Sequence, residues 1–178
     1  MHRISPIPLT VQAFADFGDV VEASPEKMFS INKGTTNRFH DLANIDVERD
    51  GGRPMVNIFR GAPYTFPLTI RMMENHPLGS QFFMPLDPFD YLVAVAEAKS
   101  TVLPEDVLVF SCSSKQGVNF KPGVWHHPLL VIVEQQDFLV IDRAGAGENL
   151  VEQDLASPIM VDLDENNPQG RLEPRPRQ

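Results

Sequence analysis

Glu74, His76, Gln81, His126 and His127 are the side chains whose types and spacing suit chemistry. They fall in two segments, MENHPLGSQFF (Met73 to Phe83) and GVNFKPGVWHHP (Gly117 to Pro128). Each segment is a strand-like apolar run broken by Pro and Gly, and together they hold three of the five histidines in the chain. Neutral imidazoles are the commonest metal ligands and the usual acid/base groups near neutral pH. Two hairpins that bring these groups face to face in the mouth of a β-barrel would make a site for catalysis or for binding a small molecule.

On a strand, Glu74 and His76 point to one face, and after the Pro77–Gly79 turn Gln81 begins a returning strand that can face them. His126 and His127 are adjacent, so a strand turns them to opposite faces. Spacing from Gly123 selects His126 for the pocket and leaves His127 outside or at a subunit contact. Small barrels of the cupin type carry His-x-His-x(4)-Glu and later Gly-x-x-His. Here the strings are Glu74-x-His76-x(4)-Gln81 and Gly123-Val124-Trp125-His126, the same spacing with two of four ligand types changed. Glu74, His76, Gln81 and His126 are therefore a possible ligand set, although a neutral amide with only two imidazoles is poor for Zn²⁺ or Ni²⁺.

Arg60 ends an apolar strand before a Gly-Ala-Pro break, where a guanidinium suits bidentate grip on a carboxylate. Lys121 precedes the Pro122-Gly123 turn near His126 and could favour an anion. Asn32 and His40-Asp41 sit in an early hairpin that could reach the same mouth. Asp142-Arg143 offers an internal ion pair, Trp125 a core residue, and Cys112 a buried, inert thiol. The bland alternatives are exposed strand ends for Glu74 and Gln81, a capping role for His76 and a solvated charge for Arg60.

Many short strands must carry these groups. The sixteen prolines are spread along the chain and punctuate apolar runs spaced by roughly 8–12 residues, the pattern of an all-β sandwich or barrel. Only the segment from Val11 to Gly18, after the N-cap Thr10, reads as a helix. The stretch Phe29–Arg49 turns back at Gly34 as a hairpin. PLLVIVEQQDFLVIDRAG is expected to form another, turning near Gln135-Gln136. Residues 1–151 form the expected domain, and 152–178 an acidic, Pro-rich tail, disordered from Gly170 onward.

Fifteen basic against twenty-four acidic side chains give a net charge of −9, and no Lys/Arg cluster of the kind a nucleic-acid binder needs occurs before the tail. No run approaches the roughly 18 apolar residues of a membrane span. A single cysteine excludes an internal disulfide. A cytoplasmic enzyme is the expectation.

The strings FSINKGTTNRFHDL, NIFRGAPYTFPLTIRMMENHPLGSQFFMPL, QGVNFKPGVWHHPLL and DFLVIDR, in that order, resemble ureidoglycolate lyases. The resemblance runs from about Ser5 to Gly147. It implies a cupin-like double-stranded β-barrel, a homodimer, and cleavage of (S)-ureidoglycolate to glyoxylate and urea in allantoin and purine nitrogen breakdown. It also implies a divalent metal, nickel. Read onto that reaction, His126 or Glu74 is the base and His76 helps to protonate urea. Arg60 holds the carboxylate, with Lys121, Asn32 and Gln81 as further substrate contacts. The rival readings are a ureidoglycolate amidohydrolase releasing ammonia and a non-catalytic barrel that binds a small carboxylate.

Overall fold

A computed structural model describes residues 2–163. The first elements are β1 (His2–Ile4), β2 (Ile7–Pro8), α1 (Val11–Phe14), β3 (Gly18–Val21), β4 (Met28–Ile31) and β5 (Thr36–Phe39). The middle holds β6 (Arg53–Gly61), β7 (Leu68–Asn75), β8 (Gln81–Pro85), β9 (Tyr91–Ala96) and β10 (Leu108–Cys112). There follow β11 (Gly117–Phe120), β12 (Trp125–His126), β13 (Leu130–Val131), β14 (Gln136–Ala144) and β15 (Val151–Val161). The expected all-β architecture with one short helix is present. Thr10 caps that helix, its Oγ1 accepting from the Ala13 N–H at 3.1 Å.

Two main sheets face each other. The larger runs β1-β15-β7-β12-β9-β10-β2, with β13 also paired to β9; the smaller runs β3-β11-β8-β14-β6. Their pairings are antiparallel except for the short outer strands β1 and β2. The core between them joins Tyr91, Val93, Val95 and Phe110 of the larger sheet to Phe83, Val118, Phe120, Phe138 and Val140 of the smaller. Helix α1 seals one end through Phe14, whose ring meets Phe110 edge-on at 5.4 Å.

Strand β9 shows why the sequence folds this way. All six residues of YLVAVA are buried. Tyr91, Val93 and Val95 face the core between the sheets, while Leu92, Ala94 and Ala96 face a second cluster with Ile70, Trp125 and Ile159. A strand covered on both faces reads as an unbroken apolar run. Each such large side chain contributes about 1.5–3 kcal/mol on burial. Trp125 is a core residue as expected, its indole N–H donating to the Lys99 carbonyl at 2.8 Å.

Two expectations fail. Leu130 and Val131 do not fold back onto Gln136–Ala144: β13 pairs with β9 in the larger sheet, whereas β14 pairs with β8 and β6 in the smaller. Residues 132–135 thus carry the chain from one sheet to the other rather than around a hairpin. Beyond the domain end expected at 151, residues 151–161 form β15 along β7. Its pairing shifts between Asp154 and Ile159, and that irregularity accommodates Pro158, which would break a regular ladder. The expected disorder from Gly170 lies outside the described residues. Among the described residues no helix is long and apolar enough to cross a membrane.

Candidate active site

Strand β7 brings Glu74 and His76 to the open end of the barrel. Glu74 is the direct cross-strand partner of His126 on β12. His76 is the first residue after β7, and its ring comes to the same side as Glu74. One side-chain donor atom from each of the three lies within 4.8 Å of the others. The imidazole rings of His76 and His126 are 5.2 Å apart between centroids.

The tautomers follow from the partners. His76 Nδ1 lies 2.6 Å from the Asn149 carbonyl, and His126 Nδ1 lies 3.1 Å from the Val124 carbonyl. A carbonyl oxygen can only accept, so each Nδ1 carries a hydrogen and each neutral ring presents an Nε2 lone pair. Both Nε2 atoms are buried without a hydrogen-bond partner. Glu74 Oε1 stands 3.6 Å from His126 Nε2, too far for a hydrogen bond. Buried lone pairs left unmatched are costly in an apolar setting, and two of them converge here on a carboxylate. The donor set fits a divalent transition-metal ion, and the Nδ1–H to carbonyl bonds are the outer partners that metal-ligating histidines commonly keep.

Electrostatics agree. Burial pushes the Glu74 carboxyl up, but His126, His76 and His127 outweigh that and hold it below its usual range. Burial lowers the His76 imidazole, with His126 adding to the effect, so the ring stays neutral. His126 is fixed by Phe120, whose ring stacks on it at 4.5 Å and 16°. Such stacking contributes about 0.5–1.5 kcal/mol beyond burial.

Glu74 and His126 open into a cavity of 640 Å³ that Gln81, Phe59, Phe83, Phe120 and Phe138 also line; His76 adjoins them but is not part of its lining. The lining is apolar with a few convergent polar groups, as small-molecule sites are. Gln81 is buried beside Asp142, whose carboxylate accepts from Asn57 Nδ2 at 3.0 Å. Burial raises Asp142 above the ordinary carboxylate value despite these partners and nearby His76.

Other expected residues lie elsewhere or in altered company. Arg60 reaches the cavity rim, but Asp137 holds it in a bidentate pair at 2.7 and 2.8 Å. Lys121 does not line this cavity. Its Nζ donates to the Ala15 carbonyl at 2.6 Å because the turn after β11 points it toward α1. Asn32 also misses the cavity of its own chain, its amide donating to Thr36 Oγ1 at 3.3 Å at the tip of the β4–β5 hairpin. His40 packs on Phe29 in that hairpin. Asp142 and Arg143 form no ion pair, since Arg143 donates to the Arg49 carbonyl.

His127 corrects the alternation argument. It lines the cavity beside His126, with Tyr64 edge-on at 5.9 Å. Strand β12 ends at His126, so the two-residue repeat stops there and the chain bends at Pro128. Asn149 was missed altogether. Its carbonyl accepts from His76 and its Oδ1 accepts from the Leu78 N–H at 2.8 Å, which clamps the His76-Pro77-Leu78 turn. No sequence signal marks it, because it lies where strand-like patterning has ended.

Comparison with known proteins gives consistent results. A family profile for ureidoglycolate lyase matches residues 1–162. A ureidoglycolate lyase from Burkholderia mallei (strain NCTC 10229) is 51% identical over 161 residues, spanning 90% of this chain and 94% of that protein. One from Chelativorans sp. (strain BNC1) is 47% identical, spanning 93% and 99%. Among solved structures, RmlC from Streptococcus suis in complex with dTDP-D-xylose aligns at TM-score 0.46 and 10% identity, covering 74% of this chain and 73% of that one.

Proposed function

The chain belongs to the ureidoglycolate lyase family, and on that premise we propose that its cavity cleaves (S)-ureidoglycolate into glyoxylate and urea. The observation that carries this reading is the convergence of Glu74, His76 and His126, two of them with unpartnered buried Nε2 atoms.

His76, His126 and Glu74 would hold a divalent ion, with Gln81 beside them. Nickel is the ion that the family resemblance implies, and imidazole nitrogens are among its usual ligands. When bound, such an ion lowers the pKa of a nearby hydroxyl as a Lewis acid. Glu74, kept ionised, takes the proton of the substrate's hydroxyl. The oxygen's electron pair closes the carbonyl of glyoxylate as the C–N bond breaks, and the bonding pair leaves on the urea nitrogen. That nitrogen takes the proton back from Glu74, so nothing is gained or lost and no water is consumed. A positioned proton carrier of this kind contributes about 10²–10⁴-fold. Of the two expected bases, His126 or Glu74, this assigns Glu74, and the expected part of His76 as donor to urea passes to it too: both Nε2 atoms would face the ion, whereas the carboxylate keeps a second oxygen for the proton. The wall of Phe59, Phe83, Phe120 and Phe138 limits water at the breaking bond. Arg60 lends positive charge to the rim for the substrate carboxylate.

We read the enzyme as a cytoplasmic homodimer. Outward on the smaller sheet, Ile58 lies beside Leu139 and Met84, and Val56 beside Ile141 and Phe82, an apolar face that suits a subunit contact.

The deciding experiment is product analysis with (S)-ureidoglycolate in a urease-free assay. Glyoxylate and urea in equal amounts are expected. Ammonia in place of urea would establish the amidohydrolase instead, and binding without turnover a non-catalytic barrel.

A further inference from the structure

The β4–β5 hairpin stands apart from both main sheets. It forms a two-stranded sheet of its own, and every residue of its strands is exposed except half-buried Ile31. Met28, Phe29 and Phe39 present large apolar side chains to solvent. An isolated two-stranded ribbon is at best marginally stable in water, so such an arm calls for a partner. Lys33 sits in the turn at its tip and Arg38 on β5 opposite Phe29, neither in an ion pair among the described residues; Arg38 rests over the Phe29 ring at 5.7 Å.

A second surface lacks a partner too. Strand β6 is the edge of the smaller sheet and pairs only with β14. Its Val56 is 67% exposed and its Ile58 56%. Long apolar edges of this kind are normally covered. The same strand supplies Ile58, Phe59, Arg60 and Gly61 to the rim of the active-site cavity. Whatever docks on this edge therefore comes to lie beside the cavity.

The side chains that line the cavity supply little positive charge. Among the described residues Arg60 is the only Lys or Arg that lines it, and Asp137 already neutralises that guanidinium. Glu74 is ionised within, and the proposed substrate is an anion.

The geometry points to a second copy of this chain as the occupant. In the homodimer the arm of each subunit lies along β6 of its partner, and Lys33 at its tip and Arg38 along β5 complete the partner's cavity for the substrate carboxylate. Each chain carries one arm and one open edge, so a two-fold axis satisfies both at once. Strand addition to a sheet edge provides the backbone pairing, and the exposed apolar residues of arm and edge provide the packing. Cationic arm and anionic substrate are complementary in charge. The inference rests on the dimer and substrate proposed above.

The test is a complementation between the double variant Lys33→Ala/Arg38→Ala and the variant His126→Asn. Differently tagged subunits are co-expressed, and dimers carrying both tags are purified. The arm variant alone should raise KM by roughly ten- to a hundred-fold, the loss expected for charge-assisted contacts to an anion. In the mixed dimer one of two cavities combines an intact site with an intact arm from its partner, so about half of wild-type activity should return. A wild-type KM for the arm variant overturns the inference. So does a mixed dimer that keeps the raised KM. Sedimentation of the wild type separates the two failures: a monomer sinks the dimer as well, while a dimer without rescue sinks only the role of the arm.

Discussion

Glu74 and His126 are direct cross-strand partners on β7 and β12, and the carboxylate Oε1 stands 3.6 Å from the imidazole Nε2. That separation is too long for a hydrogen bond and suits two donors that share a third atom between them. If they hold an ion, His126→Asn removes one of two imidazole ligands while the neighbouring β-sheet stays intact. Turnover should fall by about 10²–10⁴-fold, and elemental analysis of the purified variant should show a matching loss of metal. Full activity in an extensively chelated wild type would remove the ion from the reaction.

Asn149 joins the turn after β7 to the chain leading into β15. Asn149→Ala keeps the backbone carbonyl that accepts from His76 but deletes the Oδ1 that accepts from the Leu78 N–H. The turn loosens and the His76 ring loses its fixed aim. Partners of this kind shift metal affinity by about 10–100-fold. Titration of metal-free protein should show that weakening with little change in far-UV circular dichroism. An unchanged affinity would make Asn149 a purely structural clamp.

The three convergent side chains were legible because strand alternation and a Gly-x-x-His spacing are local rules. Glu74, His76 and His126 needed only their own strands to be recognised. What failed was decided by tertiary structure. His127 enters the cavity because β12 is too short for alternation to apply to it. Lys121 turns toward Ala15 because the chain leaving β11 faces the helix. The irregularity ahead of Pro158 made a true strand, β15, read as a tail. Asp142 was taken for half of an ion pair because adjacency in sequence suggested Arg143, whereas Asn57, eighty-five residues away, is its partner.

Arg60 and Asp137 compete with the substrate for one another. The guanidinium is 64% exposed and held at both nitrogens by the carboxylate. Arg60→Ala should raise KM several-fold with kcat nearly unchanged, as for lost uniform binding. Asp137→Asn weakens the competing partner, so KM should fall. Thermal stability should barely move in either variant, because exposed ion pairs contribute little. If both substitutions raise KM alike, the intact pair positions the rim and Arg60 does not bind the carboxylate.

Stability against pH follows from the buried imidazoles. His76 and His127 are both lowered, chiefly by burial, from an ordinary value of 6.5. The unfolded chain therefore binds protons at these positions before the folded one does. Unfolding free energy is fully present above about pH 6.5 and is lost as pH falls toward the depressed folded values. Glu74 acts in the same direction at lower pH, since its folded value is also depressed. Asp142 acts oppositely: its raised folded value stabilises the acid form, and that contribution fades as pH rises through it. Urea titrations of metal-free protein between pH 7.5 and 5, pH values chosen to span this window, should show stability falling on acidification. His127→Gln should flatten the slope, because that position then binds no proton in either state. A metal-free wild type equally stable across the range would mean that neither the His76 nor the His127 imidazole is depressed.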